Sequence, residues 1–349
     1  MLKEYNTEII HISVNSTADI THICKNSTAD ITSDSIVWIY DVFNKNDLDN
    51  MLHGQRPAYI VSDHFVATEL LNYQVYCAPL ILAKVSKFIV KNLPEQQLYQ
   101  TQHTFNFMIN KKQINRFLCM KLVELFGLTN YNYTWSGVDP RFDMTDILNE
   151  LNYLGSSSPL TPEQVSFLLS EITIPAKFFN RRSKDSNNNT RLSYSNNSDT
   201  WNNGLNNIFA GSAVSLITES LSFEKGVVFT EKTAYALLGK TFPIWVGGGI
   251  NQAQKFEEMG FDVFHDVIDH SYQFYDTLIE RCYYAFERNL DILTNYEYSC
   301  KIRESMMYRL DRNQQLLKNK QVDIFCKQQI SQWPRELQQA ISGELIIWF

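Results

Sequence analysis

No run in this 349-residue chain approaches the roughly 20 consecutive apolar residues that a membrane-spanning helix needs, so no membrane partner is expected. The opening residues, MLKEYNTEII, lack the apolar core of a signal peptide, which points to the cytoplasm. Cysteine is sparse and scattered: Cys24, Cys77, Cys119, Cys282, Cys300 and Cys326 form no C-x-x-C pair. That spacing excludes the usual zinc ribbon and a disulfide framework, and suits reduced, mostly buried thiols. Positive charge is also short, with 31 Lys and Arg against 38 Asp and Glu for a formal net charge of −7. Such a balance argues against a broad non-specific nucleic-acid surface, although a local basic groove remains open.

Aromatic residues, by contrast, are plentiful, with 18 Tyr and 22 Phe, and the length allows two full cores. Ser35 to Tyr40 and Ala58 to Ser62 are short apolar runs, ending in Asp41 and in Asp63-His64. Helical stretches are expected at Asn46 to Leu52 and Val66 to Asn92, giving an α/β layer. In open parallel sheets, ligands gather at the carboxyl ends of strands, where Asp41, Asp63 and His64 stand. An acceptor-side general base is one reading of these residues; a capping or satisfied loop carboxylate is the other. The polar joint Leu93 to Gln102 is the expected boundary. The expected units are therefore 1–100, 101–290 and a mainly helical 291–349.

Residues 11–32 carry a tandem duplication, with NSTADIT at Asn15 to Thr21 and again at Asn26 to Thr32. Two copies are too few for a solenoid and read as an insertion near the N-terminus.

The densest pattern runs from Ser212 to Gly249. Ala213 to Ile217 reads as a buried strand ending in Thr218, Glu219 and Ser220. Thr230 is an N-cap, Glu231-Lys232-Thr233 opens a helix, and Gly239 stops it. Phe242 to Val246 is a second strand, closed by Gly247, Gly248 and Gly249. A helix N-terminus attracts phosphate, and Lys232 adds a full charge. Glu219 or Glu231 can accept hydrogen bonds from ribose hydroxyls. The alternative is a capped helix whose Glu and Lys face solvent.

Upstream, Thr104 to Ile109 reads as a strand, followed by Asn110-Lys111-Lys112 and a helix over Phe117 to Phe126 that Arg116 introduces. A fixed guanidinium can grip phosphate oxygens bidentately, whereas the lysines are mobile point charges. A solvent-facing basic turn is the competing reading. Thr161-Pro162-Glu163 starts another helix. Phe178 to Asn207 reads as a loop that Trp201 and Phe209 return to the core. Further on, Gly260 to Phe264 reads as a strand or turn and Tyr272 to Asn295 as one long helix that Asp266 and Asp269 cap. The spacing of His265 and His270 suits neither a helical metal pair nor an H-x-E signature, so no metal is expected.

The order Glu219-Ser220, Phe229-Thr230-Glu231-Lys232, Ala236-Leu237, Gly239, Pro243, Gly247 resembles the donor-binding half of the α1,3/4-fucosyltransferase family. With Gly260-Phe261-Asp262-Val263-Phe264 it also resembles glycosyltransferase-like proteins of phages and large viruses. The likeness covers roughly residues 105–275. It implies an α/β fold of two Rossmann-like lobes (the GT-B type) and metal-independent, nucleotide-sugar-dependent glycosyl transfer to a hydroxyl. It further implies that Asn110, Arg116, Glu219, Ser220, Thr230, Glu231, Lys232 and Gly247 form the donor site. Gly54-Gln55-Arg56 ahead of Asp63 is similar to the stretch that precedes the family's catalytic carboxylate, which implies Asp63 as the base. No cofactor is expected beyond the nucleotide-diphosphate sugar. The acceptor, whether glycan, protein or modified base, stays open, as does a homo-oligomer. Two other classes also stay open: a viral enzyme glycosylating DNA bases in the host cytoplasm, and a non-catalytic structural or interaction protein derived from a glycosyltransferase.

Overall fold

A computed structural model describes residues 9–12, 36–39, 57, 59–62, 65–66, 75–90, 100–109, 113–135, 145–154, 157–170, 173–174, 201, 205–219 and 226–342. The duplicated NSTADIT segments, the apolar stretch 345–349 and most of 178–204 lie outside these residues. So does the helix expected at Asn46 to Leu52.

The first strands are β1 (Ile9–Ile12), β2 (Ile36–Ile39), β3 (Tyr59–Ser62), β4 (Phe65–Val66) and β5 (Val75–Cys77). β1, β2, β3 and β5 form a four-stranded sheet in that order, with all three pairings parallel. The helix α1 (Leu80–Val90) follows. Among its described residues, the single helix expected over Val66 to Asn92 is therefore the end of β4, the strand β5 and the shorter helix α1. The reason is local: Pro79 has no N–H to give a helix and biases Ala78 toward extended backbone. Val75 and Tyr76, β-branched and aromatic, favour pairing with β3.

The second sheet begins with β6 (His103–Ile109), α2 (Ile114–Leu125) and β7 (Tyr131–Trp135). After α3 (Thr145–Leu154), α4 (Pro162–Leu168) and α5 (Asn206–Ala210) come β8 (Ser212–Ile217), β9 (Gly226–Val227), α6 (Glu231–Leu238) and β10 (Phe242–Trp245). The strand order is β10-β8-β6-β7, all parallel. Alternation along β6 sends Phe105, Phe107 and Ile109 into one core with α2, and Met108 into another with α6. Helices thus cover both faces. β4 pairs antiparallel with β9, and α1 packs on α6, so the two sheets share one core cluster. The result is an α/β protein built on parallel sheets.

Trp201 does return to the core, stacking on Tyr235 at 5.6 Å between centroids and contacting Phe209. Thr161 caps α4 with a capping box through Gln164. The remaining helices are α7 (Gln252–Glu258), α8 (Leu278–Glu287), α9 (Leu290–Thr294), α10 (Tyr296–Ser305), α11 (Met307–Lys318), α12 (Gln321–Ser331) and α13 (Arg335–Ala340). The long helix expected over Tyr272 to Asn295 is broken. Ser271–Phe274 is a 3-10 turn, Thr277 starts α8 with a capping box to Glu280, and Asn289 precedes α9. The capping box at Thr277 and the Asn289 Nδ2 bond to the Ala285 carbonyl at 3.0 Å give backbone groups partners that a continuous helix would displace.

Gly260 to Phe264 is a turn, not a strand: Gly260 has φ +94° and Phe264 φ +61°, and Asp262 accepts from the Phe264 N–H at 2.8 Å. Asp269 accepts from the Ser271 N–H at 2.8 Å just ahead of the 3-10 turn, whose N-cap position is His270. Asp266 does not cap a helix; its carboxylate accepts from Arg309 of α11, which also grips Asp262. A guanidinium brought across by α11 outcompetes a local N–H. α10 packs on β6 and β8, α11 on α6, and α12 on α1, so the C-terminal helices touch elements of both sheets.

Candidate functional site

In the second sheet the chain leaves β6 for β7 on one side and later returns to β8 on the other. α2 carries the chain from β6 to β7 and α6 carries it from β8 to β10, in opposite directions across the sheet, and the two helices lie on opposite faces as a common right-handed connection requires. Strand order therefore reverses between β6 and β8. Their carboxyl ends flank the crevice where open α/β sheets bind ligands.

α6 starts at this crevice. Thr230 has extended backbone and its hydroxyl accepts from the Lys232 N–H, so the helix begins where the sequence places it. Glu219, two residues beyond β8, is buried with 2% exposure and turns its carboxylate onto that helix start. Oε1 accepts from the Thr230 N–H at 3.0 Å and from the Thr233 hydroxyl at 2.7 Å, and the Thr230 hydroxyl donates to Oε2. Lys232 Nζ stands 3.9 Å from the same carboxylate and 3.4 Å from Glu231 Oε1. Burial raises the Glu219 pKa above the ordinary carboxylate value, against the opposing pull of Lys232 and the Thr230 and Thr233 donors. Thr233 also accepts from the Trp245 indole N–H at 3.1 Å, tying β10 to the same cluster.

α2 starts beside it. Gln113 at its N-cap has extended backbone and makes no side-chain cap, and the first turn has no acidic residue. Arg116 is buried in that turn with 2% exposure. The preceding residue, Asn115, donates from Nδ2 to the Glu219 carbonyl at 3.2 Å. Glu219 thus binds α6 with its side chain and α2 with its backbone.

Gly247 closes the arrangement from β10. Its φ is +66°, and a Cβ there would stand 2.7 Å from Leu278 Cδ1 and 2.9 Å from both Asn115 Cβ and Cys282 Sγ. Glycine both permits the left-handed backbone and leaves room for Asn115.

Of the expected donor-site residues, Glu219, Thr230, Glu231 and Lys232 come together at the α6 start, Gly247 lies against Asn115, and Arg116 is the next residue along α2, buried in its first turn. Glu231 keeps its side chain 24% exposed, whereas Lys232 and Glu219 are nearly closed off. Asp63, Asn110 and Ser220 lie outside the described residues, as do Lys111, Lys112, Asp41 and His64. Asn115 is the residue that reading the sequence missed. Nothing in the run Gln113-Ile114-Asn115-Arg116 singles its amide out from the polar side chains around it. His265 pairs with Glu257 at 3.2 Å, and buried His270 meets the Val263 carbonyl at 2.9 Å with its ring centroid 5.8 Å from that of Trp245. Comparison with protein-family models, with curated proteins and with solved structures found no match to this chain.

Proposed function

We propose that the protein is a nucleotide-sugar-dependent glycosyltransferase, with its donor site at the carboxyl ends of β6 and β8. One observation carries the reading: the helix starts bearing Arg116 and Lys232 meet on the single residue Glu219 where strand order reverses. The two sheets are then the two lobes of a GT-B arrangement, and the C-terminal helices span them. Arg116, Lys232 and the α2 N-terminus stabilise the leaving diphosphate. Glu231, the more exposed carboxylate, accepts from ribose or sugar hydroxyls. Glu219, engaged with Thr230 and Thr233, holds the α6 start in place. In the reaction the acceptor oxygen bonds to the anomeric carbon, and the bond from that carbon to the phosphate oxygen breaks. The electron pair leaves with the nucleoside diphosphate, and the acceptor proton passes to a carboxylate, the role proposed for Asp63. No metal is needed for these steps.

A second reading has its own support. Arg116, Glu219 and Lys232 are exposed by only 2%, 2% and 4%, as in a site closed by its own side chains. On that reading the protein is a non-catalytic relative of such transferases. Calorimetry with UDP- and GDP-sugars separates the two. Binding by the parent that Lys232→Ala and Arg116→Ala each abolish, with folding retained, supports the transferase. Absence of any binding by the parent supports the second reading.

A further inference from the structure

Gln252, the first residue of α7, is buried and hydrogen-bonded at both ends of its amide. Oε1 accepts from the Gly249 N–H at 2.9 Å, and Nε2 donates to the Val228 carbonyl at 2.7 Å. An N–H only donates and a carbonyl only accepts, so the amide orientation is fixed from both sides. The helix start that carries it is anchored in turn, because Gln273 Oε1 accepts from the Ala253 N–H at 2.8 Å. Val228 directly follows β9, and β9 pairs with β4 through Phe65 with Val227 and Val66 with Gly226. Backbones are close here as well: a Cβ on Gly249 would collide with the Gly226 carbonyl oxygen. Phe65 adds edge contacts to Phe229 and Phe325, at 6.5 and 6.2 Å between centroids.

We propose that Gln252 is the latch of a strap, made of β4 and β9, that opens and closes apart from the cores of the two four-stranded sheets. A two-residue ladder is too short to hold itself together in water. The aromatic contacts of Phe65 favour closeness but are non-directional. The directional hold is the Gln252 amide, which pins Val228 to the glycine turn. Without that amide the buried Gly249 N–H and Val228 carbonyl lose this partner, and water reaches them when the strap lifts. Lifting it leaves the pairings β10-β8-β6-β7 and β1-β2-β3-β5 intact, since neither uses β4 or β9. The strap is thus a movable join between the two sheets, beside the α6 start that Thr230 caps. Its opening requires no nucleotide and is the same under either reading of the crevice.

The test is hydrogen exchange of the full chain in increasing sub-denaturing urea, followed by mass spectrometry of its peptides. In the parent, the amides of β4 and β9 should exchange faster than those of β6 and β8, and with little dependence on urea, as a local opening requires. Gln252→Leu keeps the bulk and removes both bonds, and should speed strap exchange by at least about tenfold. Should that variant fail to fold, Gln252→Glu replaces it: ionised, it turns an oxygen toward the Val228 carbonyl, and protonated, it donates there. The ratio of its strap exchange rate to the parent's should then fall as pH drops from about 9 to about 5. Strap amides of the parent that exchange only together with β6 and β8 overturn the strap. A change below about threefold in Gln252→Leu, or a ratio in Gln252→Glu that stays flat with pH, overturns the latch.

Discussion

The Trp245 indole N–H donates to the Thr233 hydroxyl, and Thr233 donates onward to Glu219 Oε1 at 2.7 Å. One threonine in the first turn of α6 thus ties the core of β10 to the buried carboxylate at the end of β8. All three side chains are buried, so each hydrogen bond is sheltered from water.

Replacing that threonine tests the tie. Thr233→Val keeps the shape and removes both bonds, leaving the indole N–H of a buried Trp245 with no acceptor. The expected loss is about 2–3 kcal/mol of unfolding free energy. Urea titration followed by Trp fluorescence measures it, and a change within about 0.5 kcal/mol would contradict the role.

Glu219 titrates with a raised pKa because burial penalises its charge. A carboxyl whose folded pKa lies above its unfolded value of about 4.3 binds protons more tightly in the folded state. Its contribution to stability is therefore full below the unfolded pKa and lost as pH rises through the folded one. Glu219→Gln cannot titrate. The stability of the parent relative to this variant should increase as pH falls from 7 toward 4. Paired denaturation curves across that window check the sign, and a flat or reversed difference refutes it.

Gly247→Ala should destabilise the protein by about 1–3 kcal/mol, from a positive φ and from a methyl driven against Leu278, Asn115 and Cys282. Thermal denaturation reads the effect, and an unchanged melting temperature would contradict the close packing around Gly247.

His270 is held neutral by burial, its pKa pushed down to about 4 while its ring meets the Val263 carbonyl. The unfolded chain takes up a proton near pH 6.5 and the folded chain does not, so stability is lost as pH falls from 6.5 to 4. The loss amounts to about 3 kcal/mol over that interval. In the His270→Phe variant this slope should disappear. An NMR titration of the parent should show the His270 ring unchanged down to pH 5; a midpoint near 6.5 would contradict its burial as the cause.

Much of the scaffold was legible because it rests on neighbours in the chain. Thr230 and Gly239 bound the helix Glu231–Leu238 as expected, since capping and chain termination depend on residues a turn away. The runs Ser212–Ile217 and Phe242–Trp245 are strands because continuous apolar, β-branched and aromatic residues suit a sheet covered on both faces. The break at Thr277 was equally local, with Glu280 three residues on, but the aromatic periodicity through Tyr272 to Asn295 obscured it.

The cluster at the strand ends was legible only as a set of residue types. Arg116, Glu219 and Lys232 could be listed from their places beside strands and helices. What each one holds could not, because Asn115 and Glu219 are 104 residues apart and meet only once β8 lies beside β6. Arg309 reaches Asp262 across a separation of 47 residues, which is why Asp266 and Asp269 took different roles. Chain chemistry alone decided the local elements, because backbone conformation and capping are settled within a few residues. Strand order and packing decided whether Glu219 faces a ligand or a helix, because a buried carboxylate goes to whichever donors the fold brings within reach.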